Sequence, residues 1–126
     1  MKEIISTKKA PGAVGAYSQA VVHNDMIYLS GQICIDPDTG EMERDSVGLQ
    51  TRRTLQNVEN VLIAAGSGMD KVLKCNIYIS SMDKFEEMDN VYKEFFADSY
   101  PARVTVAVSD LYENLDIEID VVAYKD

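Results

Sequence analysis

The sequence contains few of the residues from which zinc sites and disulfide frameworks are built. Its 126 residues include two cysteines, one histidine and no tryptophan. Cys34 and Cys75 lie in separate strand-like segments without metal-ligand spacing, so we expect two reduced thiols that behave as small hydrophobic side chains. His23 lies in a polar turn. A structural zinc site is therefore not expected, and Ser-His-Asp catalysis has only one candidate base.

Positive charge is also scarce. The formal net charge is −9, and the only paired basic residues are Lys8-Lys9 and Arg52-Arg53. Polyanion binding requires clustered lysine and arginine side chains, which displace the counterions of the polyanion. Nucleic acid is therefore a poor candidate partner. A small anion held by one dedicated arginine remains open.

Long apolar runs are missing as well. No segment reaches the length needed to span a bilayer, and residues Met1 to Ser6 lack the apolar core of a signal peptide. We therefore expect a cytoplasmic protein without a membrane partner. The length predicts one domain over residues 1–126, with a proper core but little depth for a pocket of its own.

Hydrophobic periodicity predicts the element order β-β-β-α-β-α-β-β. Asn24-Asp25 separates two apolar runs and predicts a tight hairpin. A first helix is predicted from Val47 to Ala65, capped by Asp45 or Ser46 and ended by Gly66. The remaining elements are a strand from Val72 to Ile79 with Leu73, Cys75, Ile77 and Ile79 on the core side, a helix opened by the capping box Asp83-x-x-Glu86, and strands at Pro101–Val108 and Ile117–Tyr124.

Two helices can cover only one face of a six-stranded sheet. The other face also carries apolar side chains, and the sequence provides no second layer for it. We therefore expect another subunit to cover that face.

The last two strands carry the candidate chemistry. Arg103 follows Pro101 at the mouth of a strand, on its less apolar face, and Glu118 alternates with apolar residues along the final strand. A fixed cation and a row of carboxylates could build a polar site within the domain. The alternative is an ordinary solvated face.

Two further residues are candidates for this site. Tyr17 is the only large side chain in a loop of small residues, and either reaches a ligand or covers the edge of the core. Asp89 lies beside an apolar stripe on the second helix, which is an unusual place for a carboxylate. The stripe itself, at helical spacing, is typical of core: Phe85, Met88, Tyr92 and Phe95.

Together these segments resemble the RidA family, also called the YjgF family and, in older usage, the L-PSP endoribonucleases. The resemblance covers nearly the whole chain, with the motifs in the family's order and spacing. It rests on Gly15-Ala16-Tyr17-Ser18-Gln19-Ala20, Ser30-Gly31-Gln32, Asp36-x-x-Thr39-Gly40-Glu41, Phe85-x6-Tyr92, Pro101-Ala102-Arg103 and Ile117-Glu118-Ile119.

The resemblance implies a chorismate-mutase-like α+β fold with a six-stranded mixed sheet and two helices on one face. It implies a homotrimer with a central barrel and clefts between subunits. The implied activity is the hydrolysis of 2-imino acids, such as 2-iminobutanoate and 2-iminopropanoate, to 2-keto acids and ammonia. No cofactor or metal is implied.

The resemblance also assigns roles to residues. Arg103 would hold the substrate carboxylate with its planar fork, and Glu118 would position and activate the attacking water. Tyr17 and Ser30 would line the cleft. Gly31 and the backbone of Thr105 would allow the ligand a close approach.

Several residues depart from the family's usual pattern. Alanine and cysteine replace prolines at Ala16 and Cys34, and Val104 and Thr105 differ from the residues that usually follow the arginine. Asp89 replaces an asparagine near the cleft. We expect Asp89 to select a ligand with a positive group or to pair with Arg103, unless it merely faces solvent.

Two other functions compete with the deaminase. One is a module that binds small carboxylates without turnover, as a sensor or chaperone. The other is the ribonuclease of the older family name, which the acidic composition and the lack of a histidine acid-base pair argue against.

Overall fold

The computed structural model describes residues 1–96 and 99–126, which form a six-stranded sheet and two α-helices. The predicted order of strands and helices is confirmed. The strands are β1 (Glu3–Ile5), β2 (Ala20–His23), β3 (Met26–Leu29), β4 (Val72–Ile79), β5 (Ala102–Ala107) and β6 (Ile117–Tyr124), and the helices are α1 (Val47–Ala64) and α2 (Phe85–Phe95). Neither helix is long and apolar enough to cross a membrane within this described part of the chain.

The strand order in the sheet is β1-β2-β3-β6-β4-β5. Neighbouring strands are antiparallel except β4 and β5, which are parallel. A parallel pair needs a crossover, and α2 provides it. As a result β5 lies at one edge of the sheet with α2 packed behind it, and β6 lies near the centre.

The two helices cover one face of the sheet, as predicted. Along β6, Ile117, Ile119, Val121 and Ala123 are at most 1% exposed, and the residues between them face the other side. On that other side of β5, Val104 and Val106 are 44% and 41% exposed. No second layer covers this face among the residues that the structure describes, so the predicted uncovered apolar face is present.

Local sequence signals account for most element ends. Asn24 and Asp25 both have positive φ, the conformation of a tight hairpin turn. Of the two predicted caps, Ser46 is the one used, since its side chain accepts a hydrogen bond from the Leu49 amide. Gly66, with φ +85°, follows the end of α1.

Two sequence predictions are wrong. Leu73 is 45% exposed rather than buried, because a register shift between Val72 and Lys74 turns Val72 towards the core instead. The capping box at Asp83 does not form, because a turn of 3₁₀-helix, Met82–Lys84, precedes α2. The cap of that turn is Ser81, whose side chain accepts from the Asp83 amide.

A buried amide on α1 ties down the segment that follows β3. Asn57 is 0% exposed, and its Nδ2 donates to the carbonyl oxygens of Ile33 at 2.9 Å and Ile35 at 2.8 Å. This segment contains no regular strand of its own. The helix therefore provides hydrogen bonds that the sheet does not.

We predict that Asn57→Ala lowers the free energy of unfolding by roughly 2–4 kcal/mol, because two buried carbonyl groups lose their donors. The matched control is Asn60→Ala, which removes one exposed hydrogen bond to the Lys9 carbonyl and should cost about 1 kcal/mol or less. Urea denaturation of the three proteins measures both values. Equal losses for the two variants would contradict the role given to Asn57.

Candidate functional site

Four of the residues assigned to the site from the sequence lie together. Tyr17, Ser30, Gly31 and Glu118 line one open cavity of about 970 Å³. The cavity lies between the loop that precedes β2 and the segment that follows β3. Other residues of its wall include Thr7, Pro11, Gln19, Gln32, Ile35 and Tyr112.

Gly31 lets the chain pass directly against Glu118. A Cβ atom at this position would lie 2.9 Å from the carboxyl carbon of Glu118 and closer still to one oxygen, so a side chain does not fit. The contact is fixed by two backbone hydrogen bonds between Gln32 and Ile119, of 2.8 and 3.1 Å. Gly31 therefore allows the Glu118 side chain a close approach, whereas the close approach of a ligand stays a prediction.

A second buried amide, Gln19, shapes the opposite wall. Its side chain is 3% exposed, accepts from the Thr7 amide at 2.7 Å and donates to the carbonyls of Thr7 and Pro11 at 3.0 and 2.7 Å. These bonds fold the small-residue loop back on itself, with Tyr17 half exposed at its end. Gln19 was not among the candidate site residues predicted from the sequence. The feature of the sequence that could have indicated its role is a glutamine directly before an apolar strand.

Ser30, which follows β3, is held at the cavity wall by hydrogen bonds to the residues just before β2. Its hydroxyl donates to the Ser18 carbonyl at 2.6 Å, and its amide donates to the Gln19 carbonyl. With its proton engaged, the hydroxyl oxygen is left as an acceptor. Ser30 can therefore receive a hydrogen bond from a ligand in the cavity.

The surroundings of the Glu118 carboxylate favour its protonated form. Burial raises its pKa, and the nearby charge of Asp120 raises it further. None of the described residues donates a hydrogen bond to it, whereas Asp120 accepts one from Asn76 at 2.8 Å. A partly buried carboxylate without donors holds a proton more readily than a solvated one, as general-base catalysis requires.

The other three candidate residues lie elsewhere, where β5 meets α2. The Arg103 guanidinium donates from Nη1 to Asp89 Oδ1 at 2.5 Å. Its Cζ lies 4.8 Å from the ring centre of Tyr92 and 5.3 Å from that of Phe85. The expectation that Asp89 pairs with Arg103 is confirmed, and the alternative that it merely faces solvent is wrong.

Helical spacing explains this cluster. Phe85, Asp89 and Tyr92 are four and three residues apart, so they share one face of α2. From the sequence, the two aromatic residues were predicted to belong to the core alone.

Behind the guanidinium, the polar groups are buried. Thr105 Oγ1 and the Tyr92 hydroxyl have no hydrogen-bond partner among the described residues. Burial raises the pKa of the Cys75 thiol to about 11, and burial together with Cys75 raises the pKa of Tyr92. Cys75 is thus a neutral thiol at pH 7, and Cys34 is also free and buried, as predicted.

The two groups of candidate residues lie on opposite faces of the sheet. Arg103 stands next to Cys75 in the register and shares its helix-covered face, together with Thr105. Glu118 stands opposite Tyr78, on the uncovered face. A polar site combining Arg103 with Glu118 inside one chain, which the sequence analysis considered, does not form.

The described residues also contain no group of three or more histidine, cysteine or acidic side chains arranged to hold a metal ion.

Comparisons with known proteins agree with this architecture. Residues 7–125 match the family described as Endoribonuclease L-PSP. The chain is 44% identical over 126 residues to a RutC family protein of Pyrococcus horikoshii, and the match covers 100% of each chain. It is 37% identical over 123 residues to human 2-iminobutanoate/2-iminopropanoate deaminase, covering 98% of this chain and 90% of that protein. The crystal structure of Escherichia coli TdcF with bound serine matches with a TM-score of 0.94 at 37% identity, covering 98% and 99% of the two chains.

We predict that Gly31→Ala lowers the pKa of Glu118 towards its ordinary value, because the added methyl group displaces the carboxylate into solvent. The control is Gly12→Ala in the wall of the same cavity, where an added Cβ meets nothing within 4 Å. Carboxyl ¹³C chemical shifts followed through a pH titration report both variants. An unchanged Glu118 titration in Gly31→Ala would show that the close contact does not hold the carboxylate.

Proposed function

Because this chain belongs to the Endoribonuclease L-PSP family, the RidA family indicated by its sequence motifs, we propose that it is an imine deaminase. The substrates proposed are 2-imino acids such as 2-iminobutanoate and 2-iminopropanoate. Water adds to the protonated C=N bond, the C–N bond then breaks, and the products are a 2-keto acid and ammonium. Water is the only co-reactant, so the proposal includes no cofactor or metal.

The observation that carries this proposal is the separation of Arg103 from Glu118 on the two faces of the sheet. A carboxylate clamp and a base can act on one small molecule only if they come from different chains. We therefore propose a homotrimer with clefts between subunits. In each cleft one chain supplies the cavity with Glu118, and its neighbour supplies Arg103.

The uncovered sheet face supports such an assembly. Val104 and Val106 lie exposed on the uncovered face of the edge strand β5, and Arg103 lies on the other face of the same strand. Burying apolar side chains contributes about 25 cal/mol for each Å² removed from water, so an uncovered face favours association. Packing this edge against a second chain would also carry Arg103 to that chain.

Within a cleft, Arg103 would orient the substrate by its carboxylate. Nη1 is engaged by Asp89, and the other guanidinium N–H groups have no acceptor among the described residues. The planar fork can thus still bind a carboxylate while the rings of Phe85 and Tyr92 hold its plane. Thr105 lies two residues along the same face, where its backbone allows close approach.

Glu118 would take a proton from the attacking water. Its raised pKa makes it a stronger base than a solvated carboxylate, and the proton it receives can pass to the departing nitrogen. Tyr17, Ser30 and Gly31 would enclose the substrate on this side, with the Ser30 oxygen as an acceptor for an N–H group. We propose that residues 1–126 act as one domain, in the cytoplasm.

The named relatives support a small carboxylate ligand. The human relative is named as a deaminase of these imino acids, and TdcF was crystallised with serine. One observation bears on the alternative of binding without turnover: the pair with Asp89 holds one N–H group of Arg103, so the clamp differs from a free arginine. The ribonuclease of the family name finds no support in a net charge of −9.

The direct test generates 2-iminobutanoate in solution with threonine dehydratase and measures the rate at which 2-ketobutanoate is released. We expect this protein to accelerate release, and the variant Arg103→Lys to lose tenfold or more of that effect. The reason is that an ammonium group cannot make the parallel two-point contact, and a charge-assisted hydrogen bond contributes roughly 1.5–3 kcal/mol.

The control is Arg52→Lys, a change of the same kind at an exposed ion pair with Glu94 on the helical surface. It should leave the rate unchanged. No acceleration by the parent protein would favour the binding module over the enzyme. Parental activity in Arg103→Lys would remove Arg103 from the site.

A further inference from the structure

The ion pair between Asp89 and Arg103 makes the clamp electrically neutral. Each side chain is partly open to solvent, at 38% and 26% exposure. A ligand that carries only a carboxylate gains the attraction of the guanidinium but meets the repulsion of Asp89 beside it. Such a clamp discriminates poorly in favour of simple anions.

A ligand with a cationic group next to its carboxylate is attracted by both side chains: its carboxylate by Arg103 and its cation by Asp89. Asp89 accepts from Arg103 at Oδ1, and its Oδ2 has no donor among the described residues. The free guanidinium N–H groups and this free oxygen therefore form an adjacent donor and acceptor pair. An α-ammonium or α-iminium acid has the complementary arrangement on neighbouring atoms.

We propose that the Asp89–Arg103 pair is a recognition site for zwitterionic α-nitrogen acids. The carboxylate of the ligand binds Arg103, and its cationic nitrogen binds Asp89. The consequence for turnover rests on the proposed function. During imine hydrolysis, Asp89 favours binding of the protonated imine, which is the form that water attacks. It does not favour the 2-keto acid product, which has lost its nitrogen. Asp89 thus determines specificity between substrate and product.

The rigidity of the pair supports this role. Phe85, Asp89 and Tyr92 project from one helical face, so the rings that fix the guanidinium plane belong to the same element as the carboxylate. The donor and acceptor are held in a fixed relation by α2. In a loosely held surface pair, both side chains would lose conformational entropy when a ligand binds, which would weaken binding.

The test compares binding of two stable ligands by isothermal titration calorimetry: 2-aminobutanoate, a zwitterion, and 2-ketobutanoate, an anion of similar size. We expect the parent protein to bind 2-aminobutanoate on the order of tenfold more tightly, the effect of one charge-assisted hydrogen bond. Asp89→Asn should lose this preference, by weaker binding of the amino acid and tighter binding of the keto acid. Raised salt should shrink the difference.

The control is Glu86→Gln, the same change of charge at an exposed position of α2, which should keep the parental preference. Equal affinities in the parent protein, an unchanged preference in Asp89→Asn, or no binding of either ligand at millimolar concentration would each overturn the inference. Because these ligands do not turn over, the result is separate from the deaminase assay. A preference for the zwitterion without imine hydrolysis would reject the enzyme and keep the recognition site.

Discussion

The two-residue alternation of the pleated strands is the constraint on which the rest of this structure depends. Burying Ile117 and Ile119 against the helices leaves no choice for Glu118, which must face the other way. The same rule on β5 turns Arg103 towards α2 and leaves Val104 exposed. The hydrophobic core thereby places the two proposed reactive groups on opposite faces, so the proposed function requires two chains for a complete site.

Buried amide groups hold the loops between the strands in place. Gln19 folds the small-residue loop, Asn57 ties down the segment after β3, and the backbone of Gln32 holds Gly31 against Glu118. All three side chains are at most 5% exposed. Because an unmade hydrogen bond is costly in a buried place, these loops have little freedom to move, and the cavity wall is formed before a ligand arrives.

Periodicity in the sequence predicted the element order and the buried face of β6, because both follow from local alternation of apolar residues. The same logic placed Arg103 and Glu118 on strands. It failed at Leu73, where a bulge shifts the register, since a bulge is set by pairing with another strand rather than by local pattern. It allowed a pair between Asp89 and Arg103 but could not choose that pair over the alternatives, because contact between a helix and an edge strand depends on how the crossover packs.

The role of Gly31 shows the same limit. Its glycine was recognised as a mark of close approach, but the group approached, Glu118, lies far along the chain and became evident only through the bridge between Gln32 and Ile119. The motifs of the family named candidate residues for the site. They did not show that these residues divide between two faces.

The measurement that tests this division most directly is complementation between Arg103→Ala and Glu118→Gln. Each variant alone should lack imine hydrolysis. After unfolding and joint refolding in equal amounts, random assembly joins an intact arginine of one chain to an intact glutamate of its neighbour in about a quarter of the clefts. The account predicts that about a quarter of the parental rate of keto-acid release returns. A mixture that assembles as the parent does but stays inactive would contradict it, because both residues would then have to come from the same chain.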